Sequence, residues 1–390
     1  RDRSPSRGLG DVYKRQEFLD GNNQLMLENI AAYTVKDIQV YEGQTHKEKW
    51  LGDKEGVKHL TMDVRLKREY MMGWMINAQG GYGTHDRYMG RLFASWFNPT
   101  TRVTLLGNVN NLNDNRQPGK SDTWTPDMMP SGTREYRRAS VDYNYENPEE
   151  TKRLNGYVNF DQTLSNNFTT TQRTNFLQGG DTYDHSFDRS RERVTKLETR
   201  HRGGIYNDRI MLDGYISGKY RKVDNHGASV AATFDSEQQQ LTAAALEAIY
   251  TSGTPEQLDA IINRSITRND GSSRQIDLRI CPDFAWRIPG TADRLTLETY
   301  FRYDDSKEEL WRDYTINFGN NPVPTDRLRQ YFDNSPNRLI TSVNNATYRA
   351  VFGKWHLMFN YEYRFSNRDK DSYMLSLIHI SEPTRRTPIS

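Results

Sequence analysis

Three things are scarce in this chain: cysteine, long hydrophobic runs and unbalanced charge. Cys281 is the one cysteine, which excludes an internal disulfide framework and a cysteine-based metal cluster. No stretch approaches the roughly 20 consecutive apolar residues of a transmembrane helix. That excludes a helical membrane protein but not a membrane β-barrel, whose signal per strand is short and alternating. The 53 basic and 51 acidic residues leave a net charge of +2 and are spread along the whole length. A nucleic-acid platform concentrates its basic residues on one face instead, so no nucleic-acid partner is expected. The start shows no signal-peptide pattern.

Aromatic side chains are plentiful. The chain carries 23 Tyr, 15 Phe and 7 Trp while only 35% of it is hydrophobic, and its mean hydropathy is −0.91. Many aromatics without apolar runs suit strands that have one apolar and one polar face.

The two ends stand apart from the rest. RDRSPSRGLGDVYKRQ (Arg1 to Gln16) and SLIHISEPTRRTPIS (Ser376 to Ser390) have no apolar period. Both read like translated sequencing-adaptor text, so we expect residues 1–16 and 376–390 to be artefact and the biological termini to lie elsewhere. A genuine disordered tail at each end is the alternative.

Between them, residues 17–72 read as the end of a compact domain. A strand is expected at Thr34 to Tyr41, then a polar connection from Glu42 to Gly56, then a strand at His59 to Lys67. After Tyr70 a period of two takes over, which puts alternate side chains on opposite faces. Val103, Leu105, Gly107 and Val109 oppose Arg102, Thr104, Asn108 and Asn110; Val141 and Tyr143 oppose Asp142 and Asn144. Leu154, Val158 and Phe160 oppose Asn155, Asn159 and Asp161; Leu212 and Ile216 oppose Asp213 and Ser217. Leu295, Leu297 and Phe301 oppose Thr296, Glu298 and Arg302, and the same holds for Leu357 to Phe365. With weaker segments such as Phe168 to Gln178, this period predicts roughly 12–14 strands. Long connections are expected at Leu112 to Thr133, Phe234 to Ser273 and Asn320 to Leu339, the second with helical patches at Glu237 to Ile249 and Pro255 to Ile262.

Two features favour a membrane wall over a soluble sandwich. The segments match the ~9–11 residues of a tilted membrane strand rather than the ~5–6 of a soluble one. Trp74, Tyr82, Trp96, Tyr143, Tyr145, Tyr220, Tyr303 and Phe365 fall near strand ends, where headgroup-level girdles belong. The expected fold is therefore all-β: an antiparallel transmembrane β-barrel, incomplete, over residues 73–375.

Particular residues also carry a resemblance. Val40-Tyr41-Glu42, the strand Thr61 to Leu66, the glycine-rich hairpin Gly80 to Gly90 and the run Leu105 to Asn113 follow one another in order. This order resembles the plug-to-barrel junction of Bacteroidota outer-membrane proteins of the TonB-dependent receptor superfamily. Tyr331 to Asn337 and Gly353-Lys354 are similar to barrel segments of that group. The resemblance implies a plug, of which residues 17–72 are the end, inside a barrel of about 22 strands. It implies import of an unidentified ligand across the outer membrane of a Gram-negative cell. The implied partners are outer-membrane lipid, an inner-membrane TonB complex reached through a segment not in this chain, and a surface lipoprotein. A non-transporting barrel with a structural or surface-binding role is the other reading, and a soluble carbohydrate-binding sandwich a third.

No catalytic chemistry emerges. The eight histidines are scattered without an HExxH pair. The acidic stretches Asp181, Asp184, His185, Asp188 and Asp304, Asp305, Glu308, Glu309 lack EF-hand spacing and read as solvated turns. Gln79 to Gly83 lacks the strand-to-helix context of a nucleotide loop. We assign no catalytic, cofactor-binding or metal-binding residue and do not expect an enzyme. The candidates for lumen or plug contact are Arg138, Asp142, Glu298 and Arg302, charged residues on the polar faces of their strands.

Overall fold

A computed structural model describes residues 34–43, 46–52, 59–67, 72–114, 132–238 and 241–380. The expected artefact at residues 1–16 and most of the one at 376–390 lie outside them.

Two short strands come first. β1 (Val35–Gly43) pairs antiparallel with β2 (His59–Leu66). Between them the helix α1 (His46–Leu51) occupies part of what the sequence suggested was a polar connection. All remaining strands form one antiparallel sheet of twelve. They are β3 (Gly73–Gly83), β4 (Arg87–Phe97), β5 (Thr101–Asn110), β6 (Thr133–Glu146), β7 (Lys152–Asn175) and β8 (Thr182–Tyr206). β9 (Ile210–Phe234), β10 (Ile261–Arg287), β11 (Arg294–Phe318), β12 (Asp326–Phe352), β13 (Trp355–Lys370) and β14 (Tyr373–Ile380) complete it. From β3 to β13 each strand pairs with its neighbours in the chain, and the sheet is open, with no pairing between β3 and β13 among the described residues.

The connections alternate between two ends. At one end they stay short: residues 98–100, 147–151, 207–209, 288–293 and 353–354. The last is the two-residue turn Gly353-Lys354 closing the Phe352↔Trp355 pair. Gly353 takes φ 59° there, as the first central position of a type II′ hairpin turn requires. At the other end lie 84–86, 111–132, 176–181, 235–260 and 319–325. Residues 235–260 hold three short helices, α2 (Ala243–Glu247), α3 (Ile249–Ser252) and α4 (Pro255–Ala260). Thr242 caps α2, and Thr254 with Gln257 forms a capping box on α4.

The strands are longer than the sequence pattern indicates. β7 to β12 run 24 to 27 residues, or roughly 80 Å at ~3.3 Å per residue. Phe168 to Asn175 continues β7 rather than forming a strand of its own, and Phe176–Gln178 lies in the connection that follows. The connection expected at Phe234 to Ser273 ends at Ala260, and the one expected at Asn320 to Leu339 ends at Thr325. The two acidic stretches are also mostly strand, in β8 and β11. In the two connections and the acidic stretches polar side chains fall on both faces, so no clean apolar period marks them, yet the backbone ladder forms regardless of side chain. Ser376–Ile380 was expected outside the sheet and instead lies in β14, paired with Asp326–Gln330. β13 covers only Asn337–Phe352 of β12, and the uncovered edge is a template for any following strand.

The sheet has one apolar and one polar face, and their exposure is the reverse of a soluble protein's. Leu105, Val158, Leu212 and Leu297 are 37–48% exposed. Thr104 and Asp213, on the opposite face, are 3% and 5% exposed, and Arg102, Asn108, Asn110 and Asp142 are as deeply buried. The apolar face shows close packing at Gly156. A Cβ there would lie 2.5 Å from the Arg200 carbonyl oxygen and 2.9 Å from the Tyr143 hydroxyl. The Tyr143 ring stacks on His201, with its hydroxyl 2.7 Å from His201 Nδ1. Gly156→Ala should therefore lower stability by about 1–3 kcal/mol, read as a lower urea midpoint; an unchanged midpoint would show that the strands shift freely.

Candidate functional site

The polar face carries its most connected charge cluster near the short-turn end, where α1 sits. α1 reads HKEKWL, with a basic, an aromatic and an aliphatic anchor in six residues. Lys47 Nζ donates to Asp283 Oδ2 on β10 at 2.8 Å and to Glu298 Oε1 on β11 at 2.5 Å. Those carboxylates come from adjacent strands, directly opposed in register as Asp283↔Glu298, and one ammonium between them cancels their repulsion. Burial alone would depress the Lys47 pKa. The hydrogen bonds and charges of Asp283 and Glu298 outweigh that and hold it above its usual 10.5.

The helix is fixed at its other end too. Trp50 Nε1 donates to the Asn207 carbonyl at 2.6 Å, and the Arg287 guanidinium lies 4.2 Å over the Trp50 ring. Arg287 also donates to the Trp50 carbonyl, and Arg294 to the Leu51 carbonyl at 2.6 Å. The last carbonyls of a helix have no partner within it and carry partial negative charge, so cations bind there. Trp50 and Leu51 pack on Tyr206, Met211 and Ala285, a small apolar cluster on an otherwise polar face.

His46 completes the contact. Its ring stacks on Tyr206 at 5.7 Å between centroids. Arg153 Nη1 lies 3.2 Å from His46 Nδ1, and Glu146 Oε1 lies 2.9 Å from Nε2. A guanidinium can only donate, so Nδ1 accepts and the Nε2 proton goes to Glu146. Beneath the ring, Asp213 accepts from Arg153 and from the Tyr206 hydroxyl, with Arg202 at 3.6 Å. His46, Glu146 and Glu150 bring ligand atoms within 4.8 Å of one another. The Arg153 charge and the proton on Nε2 make this web self-sufficient without a cation.

The four residues singled out from the sequence all lie on the polar face, in separate pairs. Arg138 pairs with Asp161 at 2.5 Å and lies over the Tyr136 ring. Asp142 pairs with Arg102 at 2.9 Å. Arg302 bridges Asp277 at 2.9 Å and Asp304 at 3.2 Å. Glu298 meets the segment before the sheet, through Lys47. Sequence reasoning passed over His46, Lys47, Trp50, Asp283, Arg287 and Arg294. The available signal was a tryptophan and a leucine inside a charged run read as a connection.

Lys47→Met should loosen α1 by about 1–3 kcal/mol, the range of a hydrogen bond to a charged group. A spin label at Lys49→Cys in a Cys281→Ser background reads this as increased mobility. Because the folded-state pKa of Lys47 is raised, its stabilisation is complete below 10.5 and is lost as pH climbs through the raised value. The label should stay immobile from neutral pH to about that point and become mobile above it; early release at pH 8 would contradict the assignment.

No family model matches this chain, and no curated protein matches it. Among solved structures it is similar to one titled "Copper transporter OprC", at 9% identity, with 85% of this chain and 67% of that one covered and a TM-score of 0.19. A score that low does not carry a fold assignment, and the description of this chain as a large, open antiparallel sheet stands on its own pairing.

Proposed function

We propose that the twelve-stranded sheet is part of the wall of an outer-membrane β-barrel, its apolar face toward lipid and its polar face toward an interior that holds the end of a plug. The observation that carries this reading is the extent of the apolar face. On β9 it runs from Ile210 to Tyr220, on β10 from Trp286 to Ile276, on β11 from Leu295 to Tyr303 and on β8 from Ile205 to Leu197. Each span matches the ~9–11 residues of a tilted membrane strand. Directly beyond come Lys222, Arg274 and Asp305 on the same face, and on β8 Thr195 followed by Arg193.

Aromatic side chains mark both rims of that band. Trp74, Trp96, Tyr143, Tyr145 and Trp286 lie toward the short-turn end, Tyr220 and Tyr303 toward the other. Such girdles sit at headgroup level. Short turns belong to the periplasmic side and long connections to the outside, which puts α1 at the periplasmic mouth.

The transport reading rests on α1. A plug that must move is held better by polar contacts than by a continuous apolar core, and α1 is held chiefly by Lys47, His46 and two arginines. We infer a TonB-dependent receptor-like transporter importing an unidentified ligand, with this chain one part of it.

Leu212→Arg should cost about 2–4 kcal/mol of folding stability in lipid vesicles. A cost within ~0.5 kcal/mol, as at an ordinary water-exposed site, would refute the membrane placement. In the longer protein from which we expect this chain to come, Lys47→Met and Glu298→Gln should each reduce ligand uptake while leaving surface binding intact. Unchanged uptake in both would remove the plug contact from the mechanism.

A further inference from the structure

The apolar face does not end at the band. Beyond Tyr220, β9 presents Lys222, Asp224, His226 and Ala228, and then Val230, Ala232 and Phe234. With Phe187, that last group is buried under Leu246 and Ile249 of the helical insertion. A polar zone thus lies on the same face as the band, between the band below and the packed helices above.

Within that zone is a cavity of about 360 Å³. Its acidic groups are already matched. Asp270 pairs with His226 at 2.6 Å, Asp224 with Lys222 at 3.4 Å and Ser272 at 3.1 Å, and Glu309 with Lys307 at 2.5 Å. Its basic wall is not matched. Arg191 and Arg193 project from alternate positions of β8, both exposed, and neither has a carboxylate partner among the described residues. Across the cavity stands Trp311, 58% exposed and held by the Tyr331 ring at 4.2 Å between centroids.

Two open guanidiniums facing a fixed indole suit a ligand with both a phosphate and a sugar. Arginine takes phosphate through paired charge-assisted hydrogen bonds, and an exposed indole offers a flat apolar platform with a polar edge. The place selects the source. This cavity opens on the face that carries the apolar band, one row above its rim, and not on the face that holds α1. A molecule passing through the interior never reaches it; the headgroup of a lipid whose chains lie along Leu197, Tyr220 and Ile276 does.

We propose that this cavity holds the phosphorylated sugar headgroup of an outer-leaflet glycolipid, with Arg191 and Arg193 on the phosphate and Trp311 under a sugar ring. The assignment rests on the membrane placement above. The test reconstitutes the longer protein from which we expect this chain to come into phosphatidylcholine vesicles, alone, with phosphatidylglycerol, or with diphosphorylated lipid A. Insertion is read by protease protection, and lipid retained after detergent extraction by native mass spectrometry. The wild-type chain should retain lipid A, and Arg191→Gln with Arg193→Gln should lower retention about tenfold or more without changing insertion. Trp311→Ala should lower it for lipid A and not for phosphatidylglycerol. Arg221→Gln, on the opposite face of β9, should have no effect. Equal retention by the double variant, or equal retention of phosphatidylglycerol and lipid A by the wild type, overturns the glycolipid site. Failure of the wild type to insert in any vesicle overturns the membrane reading itself.

Discussion

A strand must point successive side chains to opposite faces, and the consequence here is a wall whose greasy band, below the helical insertion, stands uncovered among the described residues. Leu105, Val158, Leu212 and Leu297 belong to a band made mostly of aliphatic, aromatic and glycine residues, interrupted by Thr199, His201 and Thr299, and all four are 37–48% exposed. In water such a surface would drive association. In hydrocarbon it costs nothing, provided that every backbone amide is paired within the protein. Long ladders, turns at the two ends and, within the band, ionic side chains kept to the other face all meet that condition.

The polar face solves a different problem. Arginines and aspartates set opposite one another, as in Arg102–Asp142 and Arg138–Asp161, neutralise each other across neighbouring strands. Where α1 arrives, the wall departs from self-pairing. Asp283 and Glu298 stand side by side and wait for Lys47, while Arg287 and Arg294 are aimed at carbonyls that belong to another segment. Asp277 and Asp304 are in register too, but there the wall supplies its own cation, Arg302.

What was legible in the sequence is what periodicity encodes. Alternation over Arg102 to Asn111 or Leu154 to Thr163 located those strands and assigned each residue to its face, because one face is apolar and the other ionic. The same reasoning stopped at Tyr220 and Tyr303, where both faces become polar and alternation carries no signal although the ladder continues. The docking of α1 was illegible for another reason. His46, Lys47 and Trp50 are local in sequence, but their partners lie 100 to 251 positions away. Charged residues such as Glu298 announce a polar face without naming what they face.

The order of pairing has a kinetic meaning. From β3 to β13 each strand takes its partners from the two neighbouring stretches of chain, so the sheet assembles as successive hairpins and pays little loop-closure entropy for any one contact. Registry is then decided locally, turn by turn, with no need for the first and last strands to meet. A wall of this kind keeps its alignment when shortened from either side, and its growing margin remains adhesive until something caps it.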